Sequence, residues 1–444
     1  MAGRYWVETL GCPKNQVDSD KLEGTLVADG FSPAHSANEA DVVVVNTCAF
    51  IESARQESVD RVLALSEVKK TGARLVVTGC MAERYGDELA DALPEADMVA
   101  GFGVPVSIGR KAEPGHVPLL DLLNLPRSKS SSPWAYVKVA EGCDRTCGFC
   151  AIPSFRGPQR SRTPESILAE VDALQAKEIV LVAQDLASYG RDRADLGAGS
   201  IVALVAAVAE RVHRVRLLYL YPSDLTDGLV SAIEATGVHY FDLSLQHVSK
   251  THLRRMRRWG DGDRFLRRID EIRTRMPEAA FRSNFIVGYP GETEADHDHL
   301  LSWVAAAQLD WCGFFTYSQE EGTHAAGLPD QIDPSLMRDR LAELSELQDS
   351  ITAVRRAALV GTVVNVLVDA PGVARSHREA PEIDGIISVP TSLLPGSFVD
   401  VTITGVEGPD LEAVPVAGPV SVGKLVSVGG ADVEVAGAGV PVAG

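Results

Sequence analysis

Two rhythms of hydrophobic and polar positions share the first three quarters of this 444-residue chain. Short unbroken apolar runs alternate with longer stretches of helical period, which is the order of buried parallel strands and their crossover helices. Near the N-terminus, Arg4–Leu10, Asp41–Thr47 and Arg74–Thr78 read as strands, and Asp18–Gly30, Glu52–Lys70 and Glu83–Leu93 as helices between them. This predicts a small parallel sheet with helices on both faces. Residues 106–133 break the pattern with Pro114, Pro118, Pro126 and the polar run Arg127–Ser132, and read as a linker.

The alternation resumes at Tyr136. Strands are expected at Tyr136–Ala140, Glu178–Ala183, Val215–Tyr221, Tyr240–Leu245, Phe281–Val287 and Trp311–Tyr317. Helices fit between them at Pro164–Lys177, Ile201–Val212, Asp227–Thr236, Asp263–Arg275 and Glu294–Ala307. Thr163 before Pro164 is a good helix start, a capping hydroxyl followed by a proline whose φ is already helical. Six strand–helix units are too few for an eight-stranded barrel but make an open, partial one. A long helix, Pro334–Leu359, ends the region.

After Gly361 the period shortens to two, between Gly and Pro turns. Thr362–Val368, Gly385–Val389, Phe398–Ile403 and Lys424–Val428 read as strands of a small all-β barrel. The tail Gly429–Gly444 is Gly-, Ala- and Val-rich and reads as disordered. The expected fold class is α/β, in three domains, 3–115, 129–359 and 361–428, with 429–444 as tail.

Composition narrows the partners. No apolar run reaches the ~18 residues of a membrane span, and the first residues lack a secretory pattern, so the expectation is a cytoplasmic protein with no membrane contact. The net charge of −19 favours a basic partner over a polyanion. Residues 361–444 alone carry ten acidic residues against three basic ones.

The candidate chemistry lies in the cysteines. Cys143, Cys147 and Cys150 form a Cys-x3-Cys-x2-Cys run just after the first strand of the partial barrel, on the rim where such barrels build active sites. Three thiolates can hold three corners of a four-iron cluster and leave the fourth iron open to a small molecule. Phe149 would shield that cluster. A structural zinc site is the alternative, although zinc favours paired Cys-x2-Cys units or histidines. Cys12, Cys48 and Cys80 each follow an N-terminal strand directly. Parallel strands end side by side, so these thiols should converge as a second three-cysteine set. Three free core cysteines are the alternative. The seventh, Cys312, reads as core. Weaker candidates share the barrel rim: Gly288 and Glu292 in a Gly-rich turn after a strand, Gln184 with Asp185, and Gln246 with His247. The basic residues Arg254, Arg255, Arg257 and Arg258, with Arg156, Arg160 and Arg162, read either as a solvated face or as contacts to RNA or carboxylates.

These residues resemble the radical S-adenosylmethionine (SAM) enzymes and, within them, the methylthiotransferases, over nearly the whole chain. Gly11–Ser19, Cys150–Gly157 with Ser161 and Arg162, Tyr317–Thr323 and Arg378–Gly385 are most similar to the RimO-type branch. The resemblance implies an N-terminal cluster-binding domain, a radical SAM core and a TRAM-type barrel. It implies two 4Fe-4S clusters, one held by Cys143, Cys147 and Cys150 and one by Cys12, Cys48 and Cys80. The first would bind S-adenosylmethionine, the radical source; a second molecule would be the methyl donor. The implied reaction adds a methylthio group to the β-carbon of an aspartate in the small-subunit ribosomal protein at the decoding centre. A low-potential electron donor is implied as a further partner. The alternatives are a tRNA adenosine methylthiotransferase (MiaB type) and, from another class, a non-catalytic iron–sulfur carrier.

Overall fold

The computed structural model describes residues 3–102, 106, 122–125, 127 and 129–416. The first part runs β1 (Arg4–Thr9), α1 (Pro13–Ala28), β2 (Ser32–Pro33), β3 (Val42–Thr47), α2 (Glu52–Val68), β4 (Arg74–Gly79), α3 (Cys80–Ala92) and β5 (Met98–Ala100). Its sheet is ordered β2-β1-β3-β4-β5 and is parallel throughout. Val42 to Val45 are fully buried, as the unbroken apolar run requires. Leu22 and Leu26 of α1 cover one face, while Val62, Leu65, Met81 and Leu89 of α2 and α3 cover the other.

Two helix starts differ from expectation. α1 begins at Pro13 rather than Asp18, with proline in its first turn. Its first turns bury Lys14, Asn15, Asp18 and Ser19, so no apolar stripe marks them. α3 begins at Cys80 rather than Glu83, because the chain turns straight from β4 into the helix at Gly79 (φ +93°).

The second part contains β6 (Trp134–Lys138), β7 (Ala140–Glu141), α4 (Ile152–Arg156), β8 (Arg160–Ser161), α5 (Pro164–Leu174), β9 (Glu178–Val182), α6 (Ser200–Ala209), β10 (Arg214–Leu217), α7 (Asp227–Ala235), β11 (Tyr240–Gln246), α8 (Lys250–Arg255), α9 (Gly262–Arg275), β12 (Ala280–Val287), α10 (Glu294–Ala307) and β13 (Trp311–Thr316). β6, β9 and β10 form one parallel sheet and β11, β12 and β13 another. A parallel bridge between Leu220 and Leu243 joins them, which gives the open six-stranded barrel that the six units implied. β10 is shorter than the expected Val215–Tyr221. It ends at Leu217, and Tyr219 turns out of the strand at φ +65° while its N–H donates to Asp242 Oδ2 at 2.9 Å.

α11 (Pro334–Ala357) leads to a closed barrel of β14 (Val363–Ala370), β15 (Val373–Arg375), β16 (Ile387–Ser388), β18 (Asp410–Pro415) and β17 (Phe398–Glu407), in that order. β15 and β18 were not anticipated; β18 inserts Leu411 and Ala413 into the barrel core. The expected strand Lys424–Val428 and the tail Gly429–Gly444 lie outside the described residues, as does most of the 106–133 linker. Within that linker, Leu122 and Leu123 are buried, and Lys21 donates to the Leu123 carbonyl.

The segment Arg375–Asp384 between β15 and β16 plugs the amino end of the six-stranded barrel. Arg216 donates to the His377 carbonyl (2.8 Å), Tyr136 to that of Pro381 (2.8 Å) and Trp311 to that of Arg378 (2.7 Å), while Arg282 pairs with Asp384 (2.7 Å). Beneath the plug, Glu178 is fully buried, 2.8 Å from Arg216 and 3.2 Å from Arg375. Burial alone would raise its pKa, but Arg375, Arg216 and Arg214 hold it down at about 2. Removing one side of a buried pair leaves uncompensated charge. Glu178→Gln is therefore expected to cost roughly 3–5 kcal/mol, read as a lower urea midpoint. A loss below about 1 kcal/mol would show these charges to be uncoupled.

Candidate functional site

Cys12, Cys48 and Cys80 sit at the carboxyl ends of β1, β3 and β4, which pair in register Thr9 to Asn46 and Thr47 to Gly79. A Cβ on Gly11 would lie 2.9 Å from Cys48 Cβ and 3.0 Å from its Sγ, and Gly11 has φ +93°, so only glycine brings this turn against Cys48. Gly79 is as restricted, since a Cβ would lie 2.6 Å from the Thr47 backbone. Asn15 ties the three turns together. Its Nδ2 donates to the carbonyls of Leu10 (2.9 Å) and Thr47 (3.1 Å), and its Oδ1 accepts from the Cys80 thiol (3.6 Å).

The three thiols differ electrostatically. Burial, with Cys12 and Cys80 nearby, pushes Cys48 up to about 12. Cys80 is also raised, by burial first, against the pull of Arg156. Burial opposes ionisation of Cys12 too, but Lys14, Arg156 and the amides of Asn15 and Lys14 outweigh it and lower its pKa. The thiolate is the form that binds metal.

The second set lies in the loop between β7 and α4. The Cys143 N–H donates to the Gly157 carbonyl at 3.1 Å, which closes the loop on itself. Cys143 Sγ accepts from the Arg145 amide (3.4 Å), and Cys147 Sγ from Arg258 Nη1 (3.3 Å). Gly148 is held from both sides, donating to the Met256 carbonyl (2.8 Å) and accepting from the Ala325 amide (2.7 Å). A Cβ there would lie 3.1 Å from Tyr289 Oη. Phe149 packs against the cluster of Met256, Tyr289, Tyr317 and Ala325, an apolar wall beside the loop. Burial pushes Cys143 up to about 11 and Cys150 to about 12.

Among the described residues, no three His, Cys, Asp or Glu side chains close on one point as a single ion would need. A four-iron cluster asks for a wider set, because each thiolate holds a different iron. No fourth cysteine joins either set. Cys312, the seventh, packs on the helix-facing side of β13 against the barrel's main core. Three thiols per set, with glycines where the chain crowds them, fit a cluster that keeps one iron free of protein.

A buried polar network links Cys80 to β7 and α4, the elements on either side of the Cys143–Cys150 loop. Arg156 donates to the Cys80 thiol (3.0 Å), Asn15 Oδ1 (2.8 Å), both Glu141 oxygens (2.9 and 3.0 Å) and Asp18 (3.3 Å). Lys138 joins Asp18 to Glu141, and Gln184 donates to Glu141 at 2.6 Å. Arg156 was expected either on a solvated face or in contact with RNA or carboxylates; its exposure is only 6%, and its partners include the carboxylates of Glu141 and Asp18. The basic residues thus divide. Arg162 is buried, Arg258 reaches Cys147 and the Ser244 carbonyl, Arg255 packs on Gly291, and Arg160, Arg254 and Arg257 are exposed.

The weaker rim candidates are engaged internally. Glu292 accepts from the Gly288 amide (2.9 Å) and from Arg340 (3.0 Å), and Gly288 at φ +78° leaves no room for a Cβ beside Met337. Asp185 pairs with Arg145 (2.6 Å). His247 is fully buried, with Nε2 3.7 Å from Glu292. Gln246 lies at the end of β11 in the left-handed region (φ +71°). Lys14, Asn15, Asp18 and Glu141 were missed as site residues. The available signal was polar residues at helical spacing directly after Cys12.

Comparison with known proteins agrees with this geometry. Residues 4–101 match the Uncharacterized protein family UPF0004, residues 137–304 the Radical SAM superfamily and residues 360–416 the TRAM domain. The ribosomal protein uS12 methylthiotransferase RimO of Streptomyces coelicolor is 41% identical, covering 92% of this chain and 96% of its own. Its counterpart in Saccharopolyspora erythraea is 42% identical, covering 93% and 95%. Among solved structures, the radical SAM methyltransferase TsrM of Kitasatospora setae, with cobalamin and a [4Fe-4S] cluster bound, covers 89% of this chain and 84% of its own at 13% identity and a TM-score of 0.46. An open parallel barrel with three cysteines at its rim, an α/β lobe and a TRAM barrel together make a radical SAM enzyme of the methylthiotransferase class. The chain belongs to the ribosomal protein uS12 methylthiotransferase (RimO) family. No helix among the described residues is long and apolar enough to cross a membrane.

Proposed function

We propose that this chain transfers a methylthio group to the β-carbon of an aspartate of ribosomal protein uS12. It would act in the cytoplasm, with electrons from a low-potential donor. Cys143, Cys147 and Cys150 hold one four-iron cluster, and Cys12, Cys48 and Cys80 hold the other. The observation that carries the reading is the pair of three-thiol sets, one at the ends of β1, β3 and β4 and one in the loop between β7 and α4, each without a fourth cysteine. When bound, the barrel cluster with S-adenosylmethionine supplies the radical chemistry, and the N-terminal cluster the methylthio group.

The chain's own residues arrange this. The plug at the amino end leaves the carboxyl mouth as the way in for substrate. Phe149 and its apolar neighbours wall one side of the Cys143–Cys150 loop. Arg258 and the Arg145 amide direct N–H groups at the thiols of Cys147 and Cys143. The acidic chain attracts a basic ribosomal protein.

The test is to reconstitute the enzyme anaerobically and offer it uS12 and tRNA separately. The expected results are about eight irons per chain, from two four-iron clusters, and the mass of one methylthio group added to uS12 alone. About four irons, or modification of tRNA and not uS12, would sink the proposal.

A further inference from the structure

The segment Tyr317–Thr323 leaves β13 at the carboxyl mouth of the barrel and folds into a tight turn. Gly322 takes the left-handed φ of +77° that the turn needs, and the Glu320 carbonyl accepts from the Thr323 amide (3.2 Å) and hydroxyl (2.7 Å). The Glu321 side chain faces solvent, whereas Glu320 is only 1% exposed. What buries it is the N-terminal lobe. Glu320 Oε2 accepts from Arg55 of α2 and from Arg84 of α3 (2.7 Å), and Oε1 accepts from the Ser318 hydroxyl (2.6 Å). Ser318 accepts in turn from the Glu52 amide at the start of α2 (3.2 Å). Among the described residues, these are the hydrogen bonds by which α2 meets the barrel. Burial alone would raise the Glu320 pKa, but the hydrogen bonds from Ser318, Arg55 and Arg84 lower it, so the carboxylate is charged.

This segment is bonded to the surroundings of both cysteine sets. Arg84 stands one helical turn beyond Cys80, and it also donates to the carbonyl of Ala49, next to Cys48 (3.1 Å). α2, which carries Arg55, is the helix that follows Cys48. On the other side, Tyr317 packs in the apolar wall with Phe149. Just past Thr323, the Ala325 amide donates to the carbonyl of Gly148, which follows Cys147 (2.7 Å).

A neutral side chain in place of Glu320 would leave two guanidinium groups facing each other without their shared anion, and the lobes would part there. Radical formation at one set asks nothing of the other, but transfer between them does, since a displacement of about 1 Å can cost about 100-fold in rate. We infer that Glu320 is a positioning residue that fixes the helices after Cys48 and Cys80 against the Cys143–Cys150 loop and so couples radical formation to methylthio transfer. This rests on the proposed uS12 function and adds to it the residue that joins the two halves of the reaction.

The experiment uses the reconstituted full chain with S-adenosylmethionine and uS12, and counts two products, 5′-deoxyadenosine and methylthio-uS12. Glu320→Gln should release 5′-deoxyadenosine within about threefold of the parent rate. Its yield of methylthio-uS12 per 5′-deoxyadenosine should fall at least about tenfold. Glu320→Asp, which keeps the charge on a shorter arm, should recover part of that ratio. Hydrogen exchange gives a readout apart from turnover. The amides of Glu52–Gln56 and Ser318–Thr323 should exchange faster in Glu320→Gln, with those of Val42–Val45 unchanged. Arg55→Gln, with the same expectations, takes its place if Glu320→Gln loads less iron than the parent. A variant that keeps the parent's ratio overturns the role of Glu320. So does one that loses both products together or exchanges faster throughout the lobe, which is what a merely structural residue would do. A parent that adds nothing to uS12 overturns instead the functional reading on which this stands, so the two failures are told apart.

Discussion

Cys147→Ala, reconstituted with iron and sulfide and given a strong reductant, is expected to release no 5′-deoxyadenosine above an iron-free control. The loop Cys143–Cys150 offers three thiols and no substitute. Cys312 is on the helix-facing side of β13, and the N-terminal thiols belong to another set. Cys147 is also the thiol that Arg258 addresses at 3.3 Å, so its loss leaves that guanidinium with the Ser244 carbonyl and the Tyr221 ring. The backbone should survive, because Gly148 is fixed by Met256 and Ala325 through its own amide and carbonyl. Circular dichroism and the thermal midpoint should therefore match the parent. The iron content should fall by about four per chain, since one cluster of two is lost. If S-adenosylmethionine is still cleaved at the parent's rate, the Cys143 loop is not the radical site.

Cys48→Ala separates the two halves of the reaction. Cleavage of S-adenosylmethionine should remain within about threefold of the parent, a barrier change below about 1 kcal/mol. Methylthio transfer to uS12 should fall to background. Cys48 is buried at the end of β3, and among the described residues no hydrogen bond joins it to the Cys143 loop, so its removal should leave that loop in place. Alanine fits that turn without a clash because Gly11 faces Cys48 with a hydrogen. Product formed at the normal rate would show that the N-terminal set does not carry the transferred group.

Much of the fold was legible in local pattern. Val42–Val45 is an unbroken apolar run and could only be a buried strand, and Thr163 before Pro164 marked a helix start that the Thr163 side chain caps by accepting from the Ser166 amide. The cysteine sets were legible for a related reason. Thiols that follow successive parallel strands must lie side by side, whatever separates them in the chain. The start of α1 was not legible, because its buried face is Lys14, Asn15 and Asp18 rather than apolar side chains. Nor was the bend at Tyr219, which depends on Asp242, a residue 23 positions later and on the next strand.

The sequence by itself determined most of the element types, the order of the three lobes and the strand-end positions of Cys12, Cys48 and Cys80, because side-chain period, turn residues and strand-end position are local properties. Tertiary structure alone decided what the buried charges do. Arg156 belongs to the Cys80 side and to Glu141 at once, Arg375–Asp384 closes the barrel's amino end, and Lys14 lies over the Tyr219 ring. A buried charge must find its partner wherever packing places one. For Arg156 and Asp18 that is 138 residues away, beyond the reach of any periodicity in the chain.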